Sequence, residues 1–313
     1  MPRPVIIDTD PGIDDAVAIL LALASSELAL EAIVAVAGNA PLGATARNAC
    51  AVLELAGRED VPVYAGCPRP IGPILPDAAY AHGEAGLGDL VLPEPALRPR
   101  PEHGVLFLVE RLRRAAPRSV TICALGPLTN IAAALVLAPE IAAAVAELVV
   151  MGGGTHGNIT PAAEFNMHCD PHAAAIVFDS GVPITLVPLD VTEAVRGTTA
   201  RIAPIAALRT SCCGAAATLL GPRHGLGKPP MAMHDACVIA WLVAPELFRS
   251  APAFVRVETQ SPLTAGMTVI RPLPNPPPQA GEGRVGAPNA TVLTAADADG
   301  LFRLLAGRLA ALP

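Results

Sequence analysis

Apolar and polar positions along this chain alternate in blocks that predict strands and helices in turn. Short runs rich in β-branched residues indicate buried strands, whereas longer stretches rich in alanine and leucine indicate helices. The predicted strands are residues 5–7, 30–37, 61–64, 120–125, 148–151 and 184–189. The predicted helices are residues 16–23, 44–56, 104–115, 131–137 and 171–178. This alternation favours right-handed crossovers and a mostly parallel sheet with helices on both faces.

The C-terminal third predicts a smaller addition to this sheet. Its predicted elements are helical segments at 201–220 and 236–243, strands at 254–258 and 267–270 that suit a hairpin, and a final helix at 299–312. Residues 271–289 are rich in proline and glycine, which predicts an exposed or disordered insertion. We therefore expect a single α/β domain over residues 1–313. Its core is one open, mostly parallel β-sheet flanked by helices, and its C-terminal addition is antiparallel and helical.

Composition narrows the choice of compartment and partners. The chain has 313 residues, 52% of them hydrophobic, which is enough for a large buried core. A formal net charge of −7 and the lack of a Lys/Arg run argue against nucleic-acid binding. Seven cysteines without a CxxC pair, and no signal-peptide pattern, favour free thiols in the cytoplasm. Residues 16–37 and 131–150 are apolar but interrupted by charges, so we expect no membrane span.

The candidate chemistry begins directly after the first predicted strand. Four carboxylates, Asp8, Asp10, Asp14 and Asp15, lie within eight residues and surround a Pro-Gly turn that precedes a helix. Like charges this close raise each other's pKa or require a cation, and hard oxygen ligands favour Mg²⁺ or Ca²⁺. The alternative is that these acids cap the helix. Capping explains any one of them well, but a single helix start does not need four carboxylates.

Polar groups also follow the later strands of the predicted sheet. They are Asn39, the Leu125 carbonyl, Met151, Asn158, Glu164 and Asn166. Each has a simpler explanation as a turn or cap residue. Because the carboxyl ends of parallel strands meet at one edge, however, we expect them to form one acidic pocket. Such a pocket suits a neutral polyol held beside a metal ion. Asp190, Val191 and Thr192 follow the strand at 184–189. We expect them to shape the pocket by supporting the residues that line it.

Several motifs together resemble one enzyme family. They are DTDPGIDD at 8–15, Gly38-Asn39, His82-Gly83, LGPLTN at 125–130, Met151-Gly152-Gly153, AEFN at 163–166, Asp170-Pro171 and HDA at 234–236. With them the chain resembles the nucleoside hydrolases of the inosine–uridine type, which are metal-dependent N-ribohydrolases. The likeness runs from residue 5 to about residue 270. The resemblance implies a nucleoside-hydrolase-like fold with a Rossmann-like core. It also implies an enzyme that splits ribonucleosides into ribose and free base.

The resemblance also implies a role for individual residues. By similarity, Ca²⁺ is held by Asp10, Asp15, Asp235 and the Leu125 carbonyl. The ribose is held by Asp14, Asn39, Met151, Asn158, Glu164 and Asn166. Asp10 additionally takes a proton from the attacking water, and His234 and His82 lie beside the leaving base. A homodimer or homotetramer is a family expectation. The stretch 212–233 lacks the tyrosines that many members place against the base, which leaves purine or pyrimidine preference open.

Two other functions are compatible with parts of the sequence. Asp8-Thr9-Asp10 resembles the Asp-x-Asp motif of phosphatases, but the single lysine, Lys228, offers little to balance a phosphate. A catalytically weak nucleoside- or ribose-binding protein on the same scaffold is the other alternative. His168, Cys169, Asp170 and His172 also look like a metal cluster, although the Asp-Pro pair favours a helix start there.

Overall fold

The structure, a computed structural model, describes residues 2–72, 86–221, 230–272 and 287–313. Within these ranges one sheet of nine strands runs in the order β3-β2-β1-β4-β5-β6-β9-β7-β8. The strands are β1 Arg3–Thr9, β2 Leu28–Ala35, β3 Val63–Ala65, β4 Val120–Ala124, β5 Val145–Met151, β6 Ile184–Val187, β7 Phe248–Val257, β8 Thr268–Pro272 and β9 Ala290–Ala296. Strands β1 to β6 and β9 are parallel, and β7 pairs antiparallel with both β9 and β8. The predicted open, mostly parallel α/β sheet with an antiparallel addition is confirmed.

Helices cover both faces of this sheet. They are α1 Ile13–Leu23, α2 Leu42–Leu55, α3 Gly104–Arg113, α4 Thr129–Leu137, α5 Phe165–Cys169, α6 Pro171–Phe178, α7 Leu189–Thr192, α8 Thr199–Ala206, α9 Ser211–Leu220, α10 Ala236–Val243 and α11 Ala298–Leu309. Short 3-10 turns occupy Pro139–Ala144 and Pro245–Leu247. No helix in the described part of the chain combines the length and apolar character needed to cross a bilayer. All seven cysteines are free thiols.

Strand β1 lies at the centre and divides the core into two layers. Val5 and Ile7 pack on one face with helices α1, α2, α10 and α11, and Ile6 packs on the other face with α3, α4 and α6. The two-residue alternation of a strand places neighbouring side chains on opposite faces. Because both faces are covered, all three side chains are fully buried. This burial explains why the strand has a continuous apolar run rather than an alternating one.

Some predicted boundaries were wrong. The strand predicted at 184–189 ends at Val187, since Pro188 cannot donate to a ladder and Leu189–Thr192 turns into a short helix. The helix predicted over 201–220 is two helices, separated by a turn where Arg209 has a φ of 53°. Strand β9, at Ala290–Ala296, was not predicted.

The predicted insertion at 271–289 is only partly described by the structure. Arg271 and Pro272 continue the edge strand β8, contrary to the loop predicted for them. Residues 273–286 lie outside the described residues, as do 73–85 and 222–229. The predicted hairpin of the C-terminal third is confirmed by the antiparallel pairing of β7 with β8.

The strand order creates a crevice beside β1. Strands β2 and β3 lie on one side of β1 in the sheet, whereas β4, β5 and β6 lie on the other side. Such a reversal opens a gap at the carboxyl ends of the two central strands, where α/β proteins bind ligands. Asp10 follows β1 and Leu125 follows β4 at this point. The sequence motif and the topology therefore indicate the same location.

Candidate active site

The turn after β1 buries all four of its carboxylates. Asp8, Asp10, Asp14 and Asp15 are each no more than 6% exposed. Asp15 stands in the first turn of α1 and accepts a 2.9 Å hydrogen bond from the Gly12 backbone N–H. The capping explanation therefore holds for Asp15, but it does not account for the other three.

A second segment brings a further acid to this turn. Oxygen atoms of Asp14, Asp15 and Asp235 lie within 4.8 Å of one another, and all three residues are buried. Asp235 directly precedes α10, yet its side chain makes no capping hydrogen bond to that helix. Burial, and then the negative charges of Asp14, Asp15 and Asp10, raise the pKa of Asp235. A buried group of like charges is stable only when protonated or when neutralised by a cation.

Asp10 lies beside this cluster, and one of its two carboxylate oxygens is held by a hydrogen bond. Its Oδ2 accepts a 2.6 Å hydrogen bond from the Asn39 backbone N–H. Its Oδ1 is buried and has no hydrogen-bond partner among the described residues. Burial, followed by the charge of Asp15, raises the pKa of Asp10 well above its ordinary value. An unpartnered buried oxygen in an acidic cluster fits a divalent cation with hard oxygen ligands.

Two glycines allow the backbone to approach Asp10 closely. A Cβ at Gly38 would lie 2.0 Å from Asp10 Oδ2, and one at Gly126 would lie 2.3 Å from Asp10 Oδ1. Either contact is far below van der Waals distance, so a side chain at these positions would displace the carboxylate. Asn39, next to Gly38, also donates from Nδ2 to Asp15 Oδ2 at 3.0 Å. Asn39, in the turn after β2, thus fixes the positions of both the Asp10 and the Asp15 carboxylates.

The AEFN segment supplies polar groups on the other side of the crevice. Asn166 Nδ2 donates to the Leu125 carbonyl at 2.6 Å and to the Met151 carbonyl at 3.3 Å. Glu164 accepts hydrogen bonds from the backbone N–H groups of Gly153, Asn166 and Met167 at 2.9 to 3.1 Å. Burial raises the pKa of Glu164 to about 7, although these hydrogen bonds oppose the shift.

Asn158 differs from its predicted neighbours in exposure. Its side chain is exposed, and its Oδ1 accepts a 2.9 Å hydrogen bond from the Phe165 backbone N–H. Asn158 therefore orders the loop that carries Glu164 and Asn166. This hydrogen bond explains a structural role for Asn158. A contact between Asn158 and the ribose stays a prediction.

The two predicted histidines have different outcomes. His82 lies outside the described residues. His234 is partly buried, and its Nδ1 lies 2.7 Å from Thr192 Oγ1. Burial lowers the pKa of His234, and the nearby charge of Asp14 opposes that shift. His234 therefore lies close enough to Asp14 to feel its charge, and its predicted place beside the leaving base stays a prediction.

The sequence did not predict the contacts that hold the Asp8 carboxylate in place. Asn130 Nδ2 donates to Asp8 Oδ2 at 2.9 Å, and Asn130 Oδ1 accepts from the Cys67 backbone N–H at 2.7 Å. Burial raises the pKa of Asp8 to about 8. Asp8 therefore belongs to a structural network rather than to the cluster of Asp14, Asp15 and Asp235. Asn130 stands in the LGPLTN motif at 125–130, but the motif alone does not indicate that its side chain reaches Asp8.

The HCDPH segment is a helix start, as predicted. Asp170 Oδ1 accepts from the Ala173 backbone N–H at 3.0 Å, and Oδ2 accepts from Thr129 Oγ1 at 2.7 Å. His168 Nδ1 lies 3.0 Å from the Ala265 carbonyl. Among the residues that the structure describes, the candidate metal group is the cluster of Asp14, Asp15 and Asp235.

Comparisons with known proteins find similarity to one family of enzymes. The family described as inosine-uridine preferring nucleoside hydrolase matches residues 5–303. The pyrimidine-specific ribonucleoside hydrolase RihA of Photobacterium profundum is 42% identical over 319 residues, which cover 99% of each chain. A solved plant nucleoside hydrolase has a TM-score of 0.89 at 32% identity, covering 99% of this chain and 100% of that one. A purine-preferring ribonucleoside hydrolase from Gardnerella vaginalis has a TM-score of 0.87 at 29% identity, covering 98% of each.

Proposed function

Because the chain belongs to the inosine-uridine preferring nucleoside hydrolase family, and is therefore an enzyme that hydrolyses ribonucleosides, we propose that it works with one Ca²⁺ ion and an Asp10 base. The family is metal-dependent, and the buried acid cluster suits a divalent cation. The observation that carries the proposal is the meeting of the buried carboxylates of Asp14, Asp15 and Asp235, with Asp10 close enough for its charge to raise the pKa of Asp235. Their all-oxygen chemistry favours Ca²⁺ over softer metals.

The proposed ligands of the ion are three carboxylates and one backbone carbonyl. Asp10, Asp15 and Asp235 supply the carboxylates, and Leu125 supplies the carbonyl. When bound, the ion would lower the pKa of a coordinated water and help to orient the ribose hydroxyls. Asp10 is the proposed acceptor of a proton from that water, because it lies in the crevice after β1 and its Oδ1 makes no hydrogen bond to another described residue.

The proposed ribose site lines the rest of the crevice. Its members are Asp14, Asn39, Met151, Asn158, Glu164 and Asn166. These groups offer many acceptors and few positive charges, which suits the hydroxyls of a neutral sugar. They also favour the transition state, because the ribose ring gains positive charge as the C–N bond breaks. An acidic pocket stabilises that charge more than it stabilises the neutral substrate, and this difference accelerates the reaction.

The leaving base needs a proton as it departs. His234 and His82 are the proposed donors, since histidine titrates near neutral pH and general acids contribute about 10²- to 10⁴-fold in rate. The bond between the anomeric carbon and the base nitrogen breaks with its electron pair on the base. The water oxygen bonds to the anomeric carbon, and its proton passes to Asp10. The products are ribose and the free base.

Pyrimidine ribonucleosides are the proposed preferred substrates. The support is that relatives named pyrimidine-specific ribonucleoside hydrolases are 41–42% identical across 99% of this chain. The structural neighbour named purine-preferring is 29% identical. We further propose a cytoplasmic single-domain homodimer or homotetramer that acts in nucleoside salvage or catabolism, without a nucleic-acid or membrane partner.

Release of free ribose tests this function directly. The purified protein is incubated separately with uridine, cytidine, inosine and adenosine, and reducing sugar and free base are measured. We expect the two pyrimidine nucleosides to be cleaved fastest, EDTA to abolish cleavage, and added Ca²⁺ to restore it. Cleavage that is unaffected by EDTA would refute the metal mechanism, and faster cleavage of inosine or adenosine would refute the proposed preference.

A further inference from the structure

One threonine holds the proposed leaving-group acid in place. Thr192 Oγ1 lies 2.7 Å from His234 Nδ1, although the two residues are 42 positions apart. Thr192 is fully buried, with no exposed surface, whereas His234 is partly exposed. A hydroxyl can accept a hydrogen bond from Nδ1–H or donate one to a bare Nδ1. Thr192 can therefore satisfy Nδ1 in either protonation state of the ring.

The backbone fixes the distance between these two residues. The N–H of Met233, directly before His234, donates to the Val195 carbonyl at 2.8 Å. Arg196 and Ala232 form an antiparallel bridge next to this bond. The segment that follows Thr192 is therefore paired with the segment that precedes His234. This backbone pairing holds the two residues close together, so that the Thr192 and His234 side chains can meet.

Residues of the loop after β5 hold the short helix α7, which carries Thr192, through polar contacts. Asp190 accepts hydrogen bonds from the backbone N–H of Thr155, at 2.9 Å, and from the Thr155 hydroxyl. His156 Nε2 lies 3.2 Å from Glu193 Oε2 at the end of the same helix. Helix α7 is therefore anchored on both sides of Thr192, so the hydroxyl is a fixed point for the imidazole.

We propose that Thr192 is a positioning residue that occupies Nδ1 of His234 and so reserves Nε2 for the leaving base. This inference rests on the proposed function, in which His234 supplies the proton. In the acid form both ring nitrogens carry hydrogen, and Nδ1–H donates to Thr192. The Nε2 proton passes to the base nitrogen as the glycosidic electron pair leaves with the base. His234 becomes a neutral imidazole that keeps its Nδ1 proton on Thr192.

A neutral hydroxyl is suited to this task. A carboxylate at the same place would also orient the ring, but it would add another negative charge to a crevice that already holds Asp14 and Asp235. Without any partner at Nδ1, the ring could rotate and present Nδ1 or a carbon atom to the substrate. Orientation of a reacting group contributes strongly to rate, so a lost anchor should slow only the step that needs the proton.

The test compares two substrates and three variants. Thr192→Val removes the hydroxyl but keeps the shape, Thr192→Ser keeps the hydroxyl, and Thr185→Val is a control for loss of a buried hydroxyl that bonds Glu147 instead. We expect Thr192→Val to lower kcat on uridine by about 10-fold or more, by partial loss of general-acid catalysis. Hydrolysis of p-nitrophenyl riboside, whose leaving group needs no proton, should stay within about twofold, because the anchor acts only on that proton transfer. Thr192→Ser should recover most of the uridine rate, and Thr185→Val should match the wild type.

A double-mutant cycle separates this role from a general structural one. In a His234→Ala background, Thr192→Val should cause no further loss on uridine, because the two residues act as one unit. Equal losses on both substrates, or a further loss without His234, would overturn the inference. If Thr192→Val does not fold, Thr192→Ala takes its place in the cycle. Full uridine activity in His234→Ala alone would instead refute the acid in the proposed function, which is a distinct outcome.

Discussion

The side-chain amide of Asn166 donates a 2.6 Å hydrogen bond to the backbone carbonyl of Leu125, 41 residues earlier in the chain. The same amide lies 3.3 Å from the Met151 carbonyl, so one side chain links the ends of β4 and β5. Leu125 is a proposed ligand of the ion, and Asn166 is a proposed ribose contact. The sugar site and the metal site therefore share a physical connection.

Replacing Asn166 should weaken both sites together. Asn166→Ala removes the donor that orients the Leu125 carbonyl, and residues that orient metal ligands are worth about 10- to 100-fold in affinity or activity. We expect Ca²⁺ affinity, measured by calorimetry, to decrease by about 10- to 100-fold and the KM for uridine to rise. Gln260→Ala is the matched control, because Gln260 carries an exposed side-chain amide and belongs to neither proposed site. It should leave Ca²⁺ affinity unchanged, and equal effects of both variants on that affinity would contradict the link.

A methyl group placed beside Asp10 should stop catalysis without unfolding the protein. At Gly126 the added Cβ would lie 2.3 Å from Asp10 Oδ1, so the carboxylate must move. Misplacement of a reacting group by about 1 Å can reduce rate by about 10²-fold, and we expect at least that loss in kcat for Gly126→Ala. Gly214→Ala is the control, since nothing lies within 4 Å of its added Cβ in helix α9. It should keep full activity and raise stability by about 0.5–1 kcal/mol.

Removing the proposed base should abolish turnover while the fold survives. Asp10→Ala deletes a buried carboxylate that is repelled by Asp15 in the absence of a cation, so the variant should retain the thermal transition of the folded protein. We expect its kcat on uridine to fall by about a thousandfold or more. Asp179→Ala, at an exposed acid after helix α6, should behave as the wild type. Hydrolysis by Asp10→Ala at a wild-type rate would refute the mechanism.

Stability without the ion should decrease as pH rises. Burial raises the pKa of Glu164 from 4.5 to about 7 in the folded protein. Between these values the unfolded chain releases a proton that the folded chain keeps, so the free energy of unfolding falls with increasing pH. Asp8, with a pKa raised to about 8, acts in the same direction. In EDTA, we expect a lower Tm at pH 8 than at pH 5.

The variant Glu164→Gln isolates the contribution of that one carboxyl group. Glutamine is neutral throughout, so the fall in Tm between pH 5 and pH 8 should be smaller than in the wild type. Its absolute Tm should also be lower, because its single oxygen cannot replace both carboxylate oxygens toward Gly153, Asn166 and Met167. An unchanged pH dependence would show that Glu164 does not titrate in this range.

Much of the fold was predictable because its signals are local. The apolar run at 5–7 is buried on both faces, and the blocks that follow keep the strand–helix order through β6. Strand β9 was missed since it follows a proline- and glycine-rich segment and finds its partners β6 and β7 only in the folded protein. The strand predicted to end at 189 was too long because its apolar residues continue into α7.

The site was predictable where its residues stand in short motifs and not where they meet across the chain. Asp10, Asp14 and Asp15 were evident from one turn, and Asp235 from the HDA motif. The contacts Asn130–Asp8 and Thr192–His234 join positions 122 and 42 residues apart, and no local pattern marks either pair. Long-range hydrogen bonds of this kind depend on the strand order, which the sequence alone does not specify uniquely.

The central claim is that one cation joins Asp10, Asp15, Asp235 and the Leu125 carbonyl. A crystal structure of the protein grown with Ca²⁺ tests it most directly, with the ion located by its anomalous signal. We predict a single ion whose shell includes those three carboxylates and that carbonyl. Carboxylates that face apart, with no ion in common, would contradict the account.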